Sequence, residues 1–105
     1  MQQFEIERMV GKAETVAERL TLLGNSRRLM ILCRLATEEL SVSALQAQLD
    51  LSQSALSQHL GKLREAGLVD TRREGQTIYY RLAEGDGAEL MRALYGIYCA
   101  TDETD

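Results

Sequence analysis

A mainly α chain carrying a single β-hairpin is the fold class predicted for these 105 residues. Three observations carry it. Two short stretches of helical periodicity, each opened by a serine suited to capping, meet at a tight break around Asp50-Leu51-Ser52. Two strand-like runs flank Glu74-Gly75-Gln76, a hairpin turn signal. The resulting order, helix, helix, helix-turn-helix, hairpin, helix, is that of a winged helix-turn-helix.

The first helix is read from Phe4, Met9, Val10, Ala13, Val16, Ala17, Leu20 and Leu23, which recur at spacings of three and four and end near Gly24-Asn25. Ser26 is the expected cap of the next helix. Its Leu29, Met30, Ile31, Leu32, Cys33 and Leu35 predict a central helix nearly surrounded by protein. Ser41 or Ser43 caps a short helix bearing Leu45 and Leu49, and Ser52 opens a helix over 53–66 that Gly67 stops. Strands are expected at 68–73 and 77–82, with Ile78, Tyr80 and Leu82 alternating inward. The last helix runs from about Asp86 to Cys99 through Leu90, Met91, Leu94, Tyr95, Ile97 and Tyr98. The acidic tail, 100–105, is expected to fray. Residues 1–105 therefore read as one domain, with the helix-turn-helix at 43–66 and the wing at 68–82.

At 45% hydrophobic and 27% charged residues the chain can build a small core, which excludes wholesale disorder, and its length excludes most large enzyme folds. Apolar runs are only a few residues long, and Met1-Gln2-Gln3-Phe4-Glu5 has no basic flank before a hydrophobic stretch. A cytoplasmic protein with no membrane span and with thiols at rest is the expectation. No paired carboxylates, nucleophile with a base, or glycine-rich phosphate loop emerges, so neither catalysis nor a cofactor is expected. The net charge of −4 is unevenly spread: residues 52–82 carry five basic and three acidic side chains, residues 83–105 one and six. A basic middle between acidic ends suits a DNA-binding face.

Within Ser52-Gln53-Ser54-Ala55-Leu56-Ser57-Gln58-His59-Leu60-Gly61-Lys62-Leu63, the leucines at i, i+4 and i+7 form a buried stripe. Ser52, Gln53, Ser54, Ser57 and Gln58 lie near the helix N-terminus, where glutamine can bond adenine edges and serine bases or phosphates. Lys62, Arg64, Arg72 and Arg73 are placed for phosphate, with Gln76 at the hairpin tip. A Ser/Gln face and scattered cations are equally an ordinary solvated surface, and the wing that follows tips the balance to DNA. His59, the only histidine, is counted with the DNA-binding residues of this helix, and at the edge of the apolar stripe it is expected to be packed and hydrogen-bonded. Alone it supplies one of the roughly four donors a zinc site needs.

Leu29-Met30-Ile31-Leu32, Leu40-Ser41-Val42-Ser43-Ala44-Leu45, the segment from Ser52 to Leu60, Leu63-Arg64-Glu65-Ala66-Gly67-Leu68-Val69 and the hairpin from Arg72 to Leu82 together resemble the ArsR/SmtB family of homodimeric bacterial repressors, over residues 20–99. The resemblance implies a dimer joined through the first and last helices, 1–23 and 86–99, with Phe4, Leu20 and Tyr95 in or near the interface. Two recognition helices would then reach operator half-sites about one turn of DNA apart. Many members bind metal through a Cys-Val-Cys that here reads Ser41-Val42-Ser43, and the last helix offers Asp86 and Glu89 but no histidine, so metal sensing is not expected.

Cys33 and Cys99 remain, sixty-six positions apart. Taken alone they read as small buried hydrophobes, but the fold returns the last helix to the layer holding the second. Arg34 and Arg28 are candidates, by sequence proximity, for stabilising a thiolate. Within the family, Ile31-Leu32-Cys33 together with Ile97-Tyr98-Cys99 resembles the persulfide-responsive subgroup. That implies a reduced dimer bound to operator DNA, released when persulfide or polysulfide links the thiols, and control of sulfide-response genes. A peroxide-formed Cys33–Cys99 disulfide uses the same residues and stays open. So does an anti-repressor that displaces a silencer, or a wing that binds another protein.

Overall fold

The computed structural model describes residues 2–99, so the expected fraying of the tail lies outside the described residues. The elements run α1 (Gln3–Leu23), α2 (Ser26–Leu35), β1 (Leu40–Ser41), α3 (Val42–Gln48), α4 (Gln53–Glu65), β2 (Val69–Glu74), β3 (Thr77–Leu82) and α5 (Asp86–Tyr98). This is the winged helix-turn-helix order, with an added strand. β1 pairs antiparallel with β3, giving a three-stranded sheet of order β1-β3-β2. Two residues are too few to show a period-2 pattern, so the sequence did not announce it.

Local chemistry explains the junctions. Asn25, not Ser26, caps α2: its Oδ1 accepts from Arg27 N at 3.0 Å and Arg28 N at 3.1 Å, while Ser26 is already the first helical residue. Ser41 Oγ accepts from Ala44 N at the start of α3 and Ser52 Oγ from Ala55 N at the start of α4, both at 3.1 Å. α4 ends in a Schellman motif. Gly67 turns left-handed at φ 78°, Leu68 N donates to Leu63 O at 2.9 Å, Gly67 N donates to Arg64 O at 3.0 Å, and both leucines are buried. Between β2 and β3 only Gly75 and Gln76 intervene, with φ 63° at Gly75, the pattern a type II′ hairpin demands.

The core gathers Ile31, Leu32, Leu45, Leu56, Leu60, Leu63, Val69 and Met91, and no charged or polar residue is buried among the described residues. α2 is less enclosed than its composition suggests. It buries Ile31, Leu32 and Leu35, but Met30 is 45% exposed and Cys33 half-buried, because one side of the helix faces an open cleft. Of the inward alternation on β3, Leu82 is buried and Tyr80 half-buried, whereas Ile78, next to the turn, is exposed where the hairpin leaves the body. α1 differs most from its periodicity, since Leu23 is the one residue it buries. No helix among the described residues is long and apolar enough to cross a membrane.

Candidate nucleic-acid interface and dithiol cleft

α4 presents two faces. Leu56, Leu60 and Leu63 are buried, while Ser52, Gln53, Ser54, Ser57, Gln58 and Lys62 are exposed. Ser52 spends an oxygen lone pair on its cap, which leaves its O–H free to donate outward. A groove of about 410 Å³ joins the start of α3, the start of α4 and the hairpin tip, with Gln46, Gln53 and Gln76 among its walls. Thus Gln53 and Gln76, 23 positions apart in sequence, face one space, and the N–H groups opening α4 lie beside it. Gln46 escaped the sequence reading. Its signal was an amide on the partly buried side of α3, which is indistinguishable from a solvated residue without the wing opposite.

His59 is half-buried, and no hydrogen bond among the described residues reaches its ring, contrary to expectation. Burial first, then the charges of Arg28, Lys62 and Arg27, hold the imidazole below its ordinary value. The same fact reveals a basic cluster built from two helices, α2 and α4. Arg27 was missed because its contribution depends on the α2–α4 packing; Arg28 was noticed only as a neighbour for Cys33.

The two wing arginines part company. Arg73 is opposite Ile78 in the ladder, on the face shared with Tyr80 and Leu82, and no carboxylate pairs with it among the described residues. Arg72 is opposite Tyr79 on the other face. Its Nε donates to Glu39 Oε1 at 2.7 Å, its guanidinium stacks on the Tyr79 ring at 4.7 Å, and Glu74 approaches at 3.6 Å. Arg81 reaches the other oxygen of Glu39 at 3.5 Å. The hydrogen bond from Arg72 holds the Glu39 carboxyl below its usual range. Arg72, expected on phosphate, therefore clasps the wing to the segment before β1.

Cys33 on α2 and Cys99 at the end of α5 come together, lining one cleft of about 270 Å³ with Met30, Arg34, Thr37 and Tyr95. Both are free thiols, Cys33 half-buried and Cys99 exposed. Burial pushes the Cys33 thiol up from its ordinary value, and the Cys99 thiol adds to the rise by charge and hydrogen bonding. Arg34 pulls the other way. Arg28 does not take part: its Nε donates to Leu22 O at 2.9 Å, tying α2 to α1. Ser41 and Ser43 sit 3.3 Å apart through their hydroxyls, and no group of three or more His, Cys, Asp or Glu side chains gathers among the described residues.

Residues 25–71 match the profile of the family described as bacterial regulatory protein, arsR family. A biofilm growth-associated repressor of Agrobacterium fabrum is 54% identical over 95 residues, covering 90% of this chain and 81% of the relative. The crystal structure of the transcriptional repressor BigR from Xylella fastidiosa superposes with a TM-score of 0.83 at 46% identity, over 91% of this chain and 95% of that one. The homodimeric winged helix-turn-helix DNA-binding domain of Mb0332 from Mycobacterium bovis gives 0.75 at 34% identity, over 93% and 91%. With a relative this similar over nine-tenths of its residues, the chain belongs to the arsR family of bacterial regulatory proteins.

Proposed function

We propose that this protein is a homodimeric transcriptional repressor that binds operator DNA while Cys33 and Cys99 are thiols and lets go when persulfide chemistry links them. The observation that carries the reading is the shared cleft, which sets two thiols from different helices against each other. α4 and the hairpin tip supply the DNA-facing surface, and the named repressors and DNA-binding domain among its relatives support that use.

Linkage proceeds by sulfur transfer. A cysteine thiolate attacks the sulfane sulfur of a persulfide RSSH, the donor S–S bond breaks, and RS⁻ departs with the electron pair to become RSH. When both cysteines carry the transferred sulfur, one perthiolate attacks the inner sulfur of the other and expels HS⁻. Two protein thiols and two RSSH thus give a trisulfide, two RSH and one molecule of hydrogen sulfide. Each further inserted sulfur consumes one more RSSH and releases one more RSH. To lower operator affinity a hundredfold, the link must disfavour the bound shape by about 2.8 kcal/mol.

Cys33→Ser and Cys99→Ser are expected to bind operator DNA as the parent does but to stay bound after treatment with organic persulfide, read by gel shift. Normal release by either variant overturns the dithiol trigger. The thiol contact also suits a plain disulfide, and mass spectrometry after persulfide and after peroxide separates the two by counting the sulfur atoms between Cys33 and Cys99.

A further inference from the structure

We infer that the dithiol cleft selects its sulfur donor by charge, Arg34 acting as the docking residue for the carboxylate of an acid-bearing persulfide; this rests on the sensing reading above. Arg34 lines the cleft together with both thiols. Among the described residues it is also uncommitted. The ion pairs among the described residues engage Arg19, Arg72, Arg81 and Arg92, and Arg28 is spent on backbone carbonyls. Among the described residues, the one side-chain hydrogen bond that reaches Arg34 goes to its backbone oxygen, from Thr37 Oγ1 at 3.2 Å. An exposed guanidinium with its full fork of donors, held beside two nucleophiles, is matched by a carboxylate, which accepts two parallel N–H bonds.

The chemistry gives such docking a purpose. Cys33 is half-buried and Cys99 exposed, so Cys99 meets the donor first. Its sulfur must approach the sulfane sulfur along the donor S–S axis, and a carboxylate anchored on α2 orients that axis across the cleft. The carboxylate stays with the departing thiolate, so the docked acid leaves with RS⁻ once the sulfur is transferred. Neutral oxidants such as hydrogen peroxide gain nothing from Arg34, and amine-bearing donors are repelled by it.

The test compares second-order rates of modification, by mass spectrometry, for glutathione persulfide, cysteamine persulfide and iodoacetamide on the full chain and on Arg34→Gln, Arg34→Lys and Arg34→Glu. Dividing each persulfide rate by the iodoacetamide rate removes any change in thiolate supply. Because the site is exposed, Arg34→Gln is expected to lower the glutathione persulfide ratio roughly threefold to fivefold. Arg34→Glu should invert the preference between the two donors, and Arg34→Lys should keep most of it. Ratios that do not move with the charge at position 34 overturn this inference alone. Failure of both persulfides to link Cys33 to Cys99 in the parent chain overturns the sensing reading and this inference with it.

Discussion

A guanidinium adds to DNA affinity by displacing counterions from phosphate, so it must be free of carboxylates on its own protein to do so. Among the described residues Arg73 meets that condition and Arg72, held by Glu39 and stacked on Tyr79, does not. Arg73→Ala is therefore expected to weaken operator and scrambled duplexes alike and to reduce the salt slope of the dimer by about 1.8, roughly 0.9 for each of its two wings. Arg72→Ala should leave that slope nearly unchanged. Gln53→Ala, on the groove with Gln76, should cost about 1–3 kcal/mol on operator and little on scrambled DNA. Fluorescence anisotropy at several salt concentrations checks all three, and an equal loss for Gln53→Ala on both duplexes removes its base-reading role. The basic, amide-rich character of this surface was legible from residue types alone. The fate of Arg72 was not, because its partner lies 33 positions earlier and obeys no local pattern.

Elements whose ends are set by neighbouring residues were the legible ones: Ser41 and Ser52 as caps, Gly67 and Gly75 as turns, and the α4 stripe all act within a few positions. What ties the elements to each other is long-range. Arg19 on α1 donates through Nε to Asp86 at the start of α5 at 2.9 Å, and through its terminal nitrogen to Ala66 O at the end of α4 at 3.1 Å. That bond from Arg19 holds the Asp86 carboxyl below its usual range. Beside it α5 packs so tightly that a Cβ on Gly87 would collide with the Leu68 side chain. The helix capped by Cys99 is thus joined at its other end to α4. Arg19→Ala is expected to leave polysulfide linkage intact by mass spectrometry while shrinking the loss of operator affinity on linkage by roughly tenfold, about 1.4 kcal/mol of coupling. If the full loss persists, the contact is structural only and the signal reaches α4 by another route.

The chain as a whole is too extended for its length. Its radius of gyration is 15.3 Å, against about 13 Å for a compact domain of 100 residues, and it spans 50 × 38 × 23 Å. The excess comes with apolar side chains left in solvent on the two outer helices: Phe4, Met9, Val10 and Leu20 on α1, Ile97 and Tyr98 on α5, with Val10 and Tyr98 more than 70% exposed. The periodicity of α1 was real, but the surface it describes is not the core of a single chain. A sequence pattern reports that a face is to be buried without saying by which molecule, so the helix was legible and its partner was not. A second copy is the occupant proposed here, and the two faces belong to the helices through which the resemblance joins the dimer. Val10→Glu combined with Ile97→Asp is expected to give a monomer by analytical ultracentrifugation with an unchanged far-ultraviolet dichroism spectrum, because neither side chain belongs to the buried core. Losing one of two linked half-site contacts should weaken operator binding roughly a hundredfold or more. Persistence of the dimer, or a monomer that grips operator as tightly as the parent, rejects this interface and leaves the exposed stripe of α1 to some other partner.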